Sequence, residues 1–139
     1  MADTPHPAPR VRPLSPHLTV YRWPVTMVTS IVHRATGLAL SAGTLLLCWW
    51  LVAVASGPEQ FNEFSSLADS TLGAIVLFGF LWSLAYHLLN GIRHLLWDLG
   101  YGFAVTMANQ SGVFVIAGSV ILTIAAFALA YTGHAGFYQ

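Results

Sequence analysis

Residues 71–98 read TLGAIVLFGFLWSLAYHLLNGIRHLLWD, and this stretch decides the fold. From Thr71 to Ile92 it carries no Asp, Glu, Lys or Arg. About 20 helical residues cross the ~30 Å apolar layer of a bilayer, and the run meets that length. Yet His87 stands inside it, and Arg93 and His94 stand at its end. A central ionisable residue in a membrane helix costs roughly 2.5–3.5 kcal/mol on insertion scales, and such residues persist where a partner, ion or cofactor compensates. His87 and His94 are two helical turns apart and share a face, about 10 Å apart along the axis. Gly91 and Asp98 complete the same stripe.

A second polar face opens another apolar run. Ser30, His33, Arg34 and Gly37 fall at i, i+3, i+4 and i+7, and an uncharged stretch from Ala35 to Ala55 follows. A third run extends from about Val113 to Tyr131. The expected fold is therefore an all-α membrane protein with three transmembrane helices, at about 30–55, 71–96 and 112–133. These form one domain over 25–135, preceded by a polar segment over 1–24. Two polar faces in so apolar a chain point to a cofactor held between helices.

Composition supports the membrane assignment. Of 139 residues, 56% are hydrophobic and 7% charged, whereas soluble domains carry about 25% charged residues. The net charge is zero, so there is no basic footprint for nucleic acid. The single cysteine, Cys48, lies in an apolar run, cannot form an intrachain disulfide and is expected to be a small core residue.

Arginine placement sets the expected orientation. Arg10, Arg12, Arg22 and Arg34 precede or open the first span, and Arg93 closes the second. The connection 56–70 has neither Lys nor Arg but holds Glu59, Glu63 and Asp69. The N-terminus and the second-to-third connection should face the cytoplasm or an organelle matrix, with the C-terminus outside. Both polar faces then share the inner leaflet. Met1 to Pro24 has no apolar core and does not read as a signal peptide. Its polar, Ser-poor start points to a bacterial cytoplasmic membrane in preference to a mitochondrial one.

Local signals mark the remaining elements. Pro5, Pro7, Pro9, Pro13 and Pro16 oppose helix in the N-terminal segment, where Leu14 and Leu18 are apolar enough to dock on a partner. Pro24 suits a helix's first turn, Trp23 the headgroup level, and the first helix should start near Ser30. Trp49-Trp50 forms an aromatic belt on the far side, and Gly57-Pro58 breaks the helix. Phe61, Phe64 and Leu67 suggest a short surface helix over 59–69. Gly100 can end the second span, leaving 101–111 as an inner connection and 134–139 as an outer tail.

Neutral imidazole is a strong ligand for haem iron, and one histidine per helix suits a porphyrin lying edge-on between helices. His87 is the deepest candidate, and Gly91 removes a side chain one turn below it. The alternative for His94 and Asp98 is a boundary role or hydrogen bonding to neighbouring helices. Arg34 and His33 can receive a ligand's carboxylates, although both Arg34 and Arg93 also suit snorkelling anchors. Gly37 and Gly43 suit close helix packing.

The segments RPLSPHLTVYRWPVTMVTSIVHRATG and AYHLLNGIRHLLWDLGYG together resemble the cytochrome b membrane subunit of succinate dehydrogenase, over residues 12 to 103. The resemblance implies that His87 ligates the iron of haem b, with the second axial ligand supplied by a small partner membrane subunit. It implies His33, Arg34 and His94 beside the haem propionates, and Ser30 and Arg34 in a ubiquinone pocket. It further implies that succinate oxidation takes place on a flavoprotein subunit, with electrons crossing an iron–sulfur subunit to the quinone. Asp98 can relay protons or be simply a helix-terminal carboxylate. Competing readings are a haem-free structural anchor, the equivalent subunit of a fumarate reductase, and, with less support, a small ion pathway.

Overall fold

The computed structural model describes Pro13, His17 and residues 20–137. The expected polar segment over 1–24, with Pro5, Pro7, Pro9, Pro16, Leu14 and Leu18, therefore lies mostly outside the described residues. The chain is all-helical where described. Four helices follow one another: α1 (Val25–Ser56), α2 (Pro58–Ala68), α3 (Thr71–Asp98) and α4 (Val105–Phe137). Three of them, α1, α3 and α4, are long and apolar enough to cross a membrane.

The turns follow local chemistry. Pro24 precedes α1 in extended backbone, and its carbonyl accepts from the amides of Met27 (3.0 Å) and Val28 (3.2 Å). The helix thus begins more than a turn before the expected start at Ser30, directly after Pro24, and its first turn is held where Val25 and Thr29 lie against Gly112. Gly57, at φ 115°, breaks α1, and Pro58 opens α2. Positive φ is open to glycine without steric cost. Ser70 caps α3 by accepting from the Gly73 amide at 3.0 Å. At the other end Gly100 takes φ 90°, its amide bonds to Trp97 O (2.8 Å), and Tyr101 N bonds to Leu96 O (3.0 Å). That pair of bonds is a Schellman stop.

α4 begins at Val105, well before the expected 112, and continues to Phe137 through much of the expected tail. The expected start tracked apolarity alone. Thr106, Asn109, Gln110 and Ser111 are polar yet helical, and Ala108 and Ser111 are held by α3, as described below.

α3 is the middle helix, packed on both α1 and α4; α1 also meets α4, and α2 lies against α1 and α3. Trp49 of α1 meets Phe64 of α2 edge-on, with ring centroids 5.0 Å apart. The polarity of the packing is inverted relative to a soluble bundle. Among the described residues the buried hydrophobic side chains are Ala53, Tyr86 and Val115, whereas Thr29, Thr36, Ser83, Asn90, Arg93, Ser119 and Thr123 are also buried. Leucines such as Leu38, Leu45 and Leu129 face outward. In lipid no hydrophobic force drives helices together, so small and hydroxylated residues take the seam. Their hydroxyls are satisfied within their own helices, as in Ser83 Oγ to Gly79 O (2.8 Å) and Thr123 Oγ1 to Ser119 O (2.7 Å). Cys48 is exposed, not a core residue as expected. An apolar run in a membrane helix covers the outer surface as well as the seam, so its apolarity could not place the thiol.

Candidate functional site

Two clusters on α3 face its neighbours. The first is a polar knot joining three helices. Arg93 is only 4% exposed. Its Nη1 donates to Thr29 Oγ1 of α1 and to Asn90 Oδ1, both at 3.2 Å. Nε donates to Ser111 Oγ (2.9 Å) and Nη2 to Ala108 O (2.7 Å), both on α4. The guanidinium also lies over the Trp97 ring, 4.1 Å from its centroid. Two turns earlier, Tyr86 donates its hydroxyl to Thr29 O at 3.1 Å. The snorkelling anchor considered for Arg93 is therefore replaced by an internal tie. A planar fork with five donors can serve acceptors on several elements at once, and in apolar surroundings it turns to them instead of water.

The second cluster is a stack of imidazoles between α1 and α3. His33 lies face to face with His87, ring centroids 3.9 Å apart and planes 14° from parallel. His94 sits 5.2 Å from His33 and packs edge-on against Trp97 at 5.0 Å. Thr36, buried, donates to His33 O (2.9 Å), and its oxygen lies 3.3 Å from His87 Nδ1. Gly37 makes the approach possible: a Cβ there would stand 3.2 Å from His87 Cε1. Gly91, by contrast, borders open space, since a Cβ would meet nothing within 4 Å.

Of the polar positions singled out in the sequence, His33, His87 and His94 thus come together, with Gly37 beneath them. Ser30 and Arg34 do not join them. Arg34 is exposed, Ser30 is half-buried, and neither side chain hydrogen-bonds to another described residue. The single face of α1 drawn from spacing is divided: His33 and Gly37 meet α3, while the Arg34 side chain points away from the bundle. Asp98 is exposed at the end of α3. Thr29, Thr36, Tyr86, Asn90 and Ser111 were not singled out in the sequence. A signal existed: Thr29 and Thr36 are seven apart, and Tyr86, Asn90 and Arg93 follow i, i+4, i+7.

Among the described residues, His33 Nδ1 and Asn90 Nδ2 are buried polar atoms without hydrogen bonds. Among the described residues no group of three or more His, Cys, Asp or Glu side chains converges on a bare metal ion. The histidines stack against one another instead.

The comparisons agree with this architecture. The sequence pattern of the family described as "Succinate dehydrogenase/Fumarate reductase transmembrane subunit" matches residues 9–126. The chain is 50% identical over 113 residues to the succinate dehydrogenase cytochrome b556 subunit of Paracoccus denitrificans, covering 81% of this chain and 87% of that one. It is 42% identical over 113 residues to the cytochrome b556 subunit of Rickettsia conorii, covering 81% and 88%. With the mitochondrial cytochrome b560 subunit of Sus scrofa it shares 43% over 118 residues, covering 81% and 68%.

Proposed function

The chain belongs to the succinate dehydrogenase/fumarate reductase transmembrane subunit family, and on that premise we propose that it is the membrane-anchoring cytochrome b subunit of a succinate dehydrogenase. In this reading it holds haem b jointly with a second small membrane subunit and contributes to the site where ubiquinone is reduced. A flavoprotein and an iron–sulfur subunit dock on its inner face. Its 50% identity to a bacterial relative supports a bacterial cytoplasmic membrane.

The observation that carries the haem assignment is the imidazole cluster at the α1–α3 seam. The residues fit the group. His87 is half-buried, and its Nδ1 is occupied by Thr36. His33 Nδ1 is sealed from solvent without a partner, a deficit of about 1–3 kcal/mol that a bound polar group would offset. Gly91 leaves space on the same stripe. His87 would ligate iron, while His33, Arg34 and His94 would receive the propionates. A haem held there would supply one-electron transfer.

Ser30 and Arg34 are assigned to the quinone. A quinone carbonyl needs donors near a water-accessible face, and these two have no competing hydrogen bonds among the described residues. Arg34 is exposed and free to reach a ligand bound between this chain and its partners.

The imidazole stack also favours one rival. Face-to-face histidines 3.9 Å apart can serve as packing in a haem-free anchor. A pyridine haemochrome spectrum of the co-purified complex separates the two. Haem at one per complex is expected, and its absence leaves the anchor. His87→Leu should lose the low-spin signal while the subunits still assemble; an unchanged spectrum removes His87 as ligand. Ser30→Ala and Arg34→Leu should depress ubiquinone reduction by succinate more than reduction of a soluble dye. Equal losses would withdraw the quinone role.

A further inference from the structure

We infer that Thr36 is a positioning residue for His87: its hydroxyl accepts the Nδ1–H of that imidazole and so leaves Nε2 as the nitrogen with a free lone pair. The inference rests on the haem reading above and adds the residue that selects which nitrogen binds iron.

Thr36 is 2% exposed, so water does not serve its hydroxyl. That hydroxyl has one proton, donated to His33 O at 2.9 Å. The 3.3 Å contact between Thr36 Oγ1 and His87 Nδ1 is a hydrogen bond only if Nδ1 carries the proton. A neutral imidazole carries a single ring proton, so Nε2 is bare. A relay results, from His87 Nδ1–H to Thr36 Oγ1–H to the His33 carbonyl on the α1 backbone, and each bond polarises the next. Gly37 keeps α1 close enough for it, since a Cβ would crowd the His87 ring at 3.2 Å from Cε1. A ligating histidine whose other N–H is held in this way has a fixed tautomer and ring orientation and a more basic donor nitrogen.

Thr36→Val tests this, because it keeps the branched shape and removes only the oxygen. In the purified complex the variant should assemble and hold haem about 10–100-fold more weakly, the usual cost of losing such a support. A less basic imidazole stabilises ferric iron less, so the haem midpoint potential should rise. Thr36→Ser, which keeps the hydroxyl, should return both values toward wild type. A Thr36→Val complex matching wild type in haem retention and potential overturns the inference, as does a Thr36→Ser complex that behaves like Thr36→Val. If Thr36→Val does not assemble, nitrogen-15 NMR of histidine-labelled wild-type complex decides: a His87 Nδ1–H that is hydrogen-bonded to oxygen supports the relay, and one that is not hydrogen-bonded, or a bare Nδ1, sinks it. The His87→Leu spectrum keeps the two levels apart. Loss of low-spin haem there with an unaltered Thr36→Val variant defeats only the Thr36 role, whereas haem unaffected by His87→Leu defeats both.

Discussion

Truncating Arg93 would withdraw one shared donor from a threonine hydroxyl on α1 and from a serine hydroxyl and a carbonyl on α4 in a single step. It donates four hydrogen bonds, and at the ~0.6 kcal/mol average measured inside membranes these contribute about 2 kcal/mol. Arg93→Met is therefore expected to lower unfolding stability in detergent by about that amount. Arg93→Lys should recover less than half, because one ammonium cannot reproduce a planar fork aimed at two helices. A lysine variant as stable as wild type would show that charge alone matters there. The same knot bears on the imidazole site. Tyr86, next to His87, is tied to Thr29 O, so the rotation of α3 that presents His87 to Thr36 is set one residue away.

At the scale of elements, glycines decide how closely α1 and α3 approach. The Phe80 ring lies directly against Gly43, where a Cβ would overlap it. Gly43→Val should destabilise the helix pair by about 1–3 kcal/mol, the usual range for overpacking. Phe80→Leu in the same chain should restore part of the loss. Gly79 is the control, because a Cβ there meets nothing within 4 Å. Gly79→Ala should be neutral in detergent or gain up to about 1 kcal/mol from helix propensity. Thermal unfolding of the three variants reads the contrast, and equal behaviour of the Gly43 and Gly79 variants would refute the packing argument.

For the whole molecule, the charge distribution predicts sidedness. α2 carries Glu59 and Glu63 without Lys or Arg, while Arg93 lies near the connection between α3 and α4. With exposed Cys48 first replaced by serine, a cysteine at Gln60 should react with an impermeant maleimide on intact spheroplasts. A cysteine at Phe103, which is 67% exposed, should react only after permeabilisation. The reverse pattern would invert the topology and move the imidazole cluster to the outer leaflet. Placement in the inner leaflet matters for the proposed function, since soluble electron-donating subunits would dock on that side.

Helix number, the broken turn at Gly57-Pro58, the surface helix after it and the stop at Gly100 were all legible in the chain. Each rests on short-range physics: apolar length, the φ freedom of glycine, and proline's tolerance at a helix start. The histidines of the candidate site were legible too, because ionisable groups are conspicuous against lipid-compatible sequence. What only the tertiary structure decided is direction. Periodicity placed Ser30, His33, Arg34 and Gly37 on one face, yet the packing of α3 takes His33 and Gly37 and leaves Arg34 outside. It likewise turned Arg93 inward and Cys48 outward, and it brought Thr36 to His87 across 51 residues of chain. In a membrane the outer surface of a helix is apolar while the seam mixes small, hydroxylated and apolar residues, so the hydrophobicity of a single residue does not say which way it faces. Only the close approach of neighbouring backbones does.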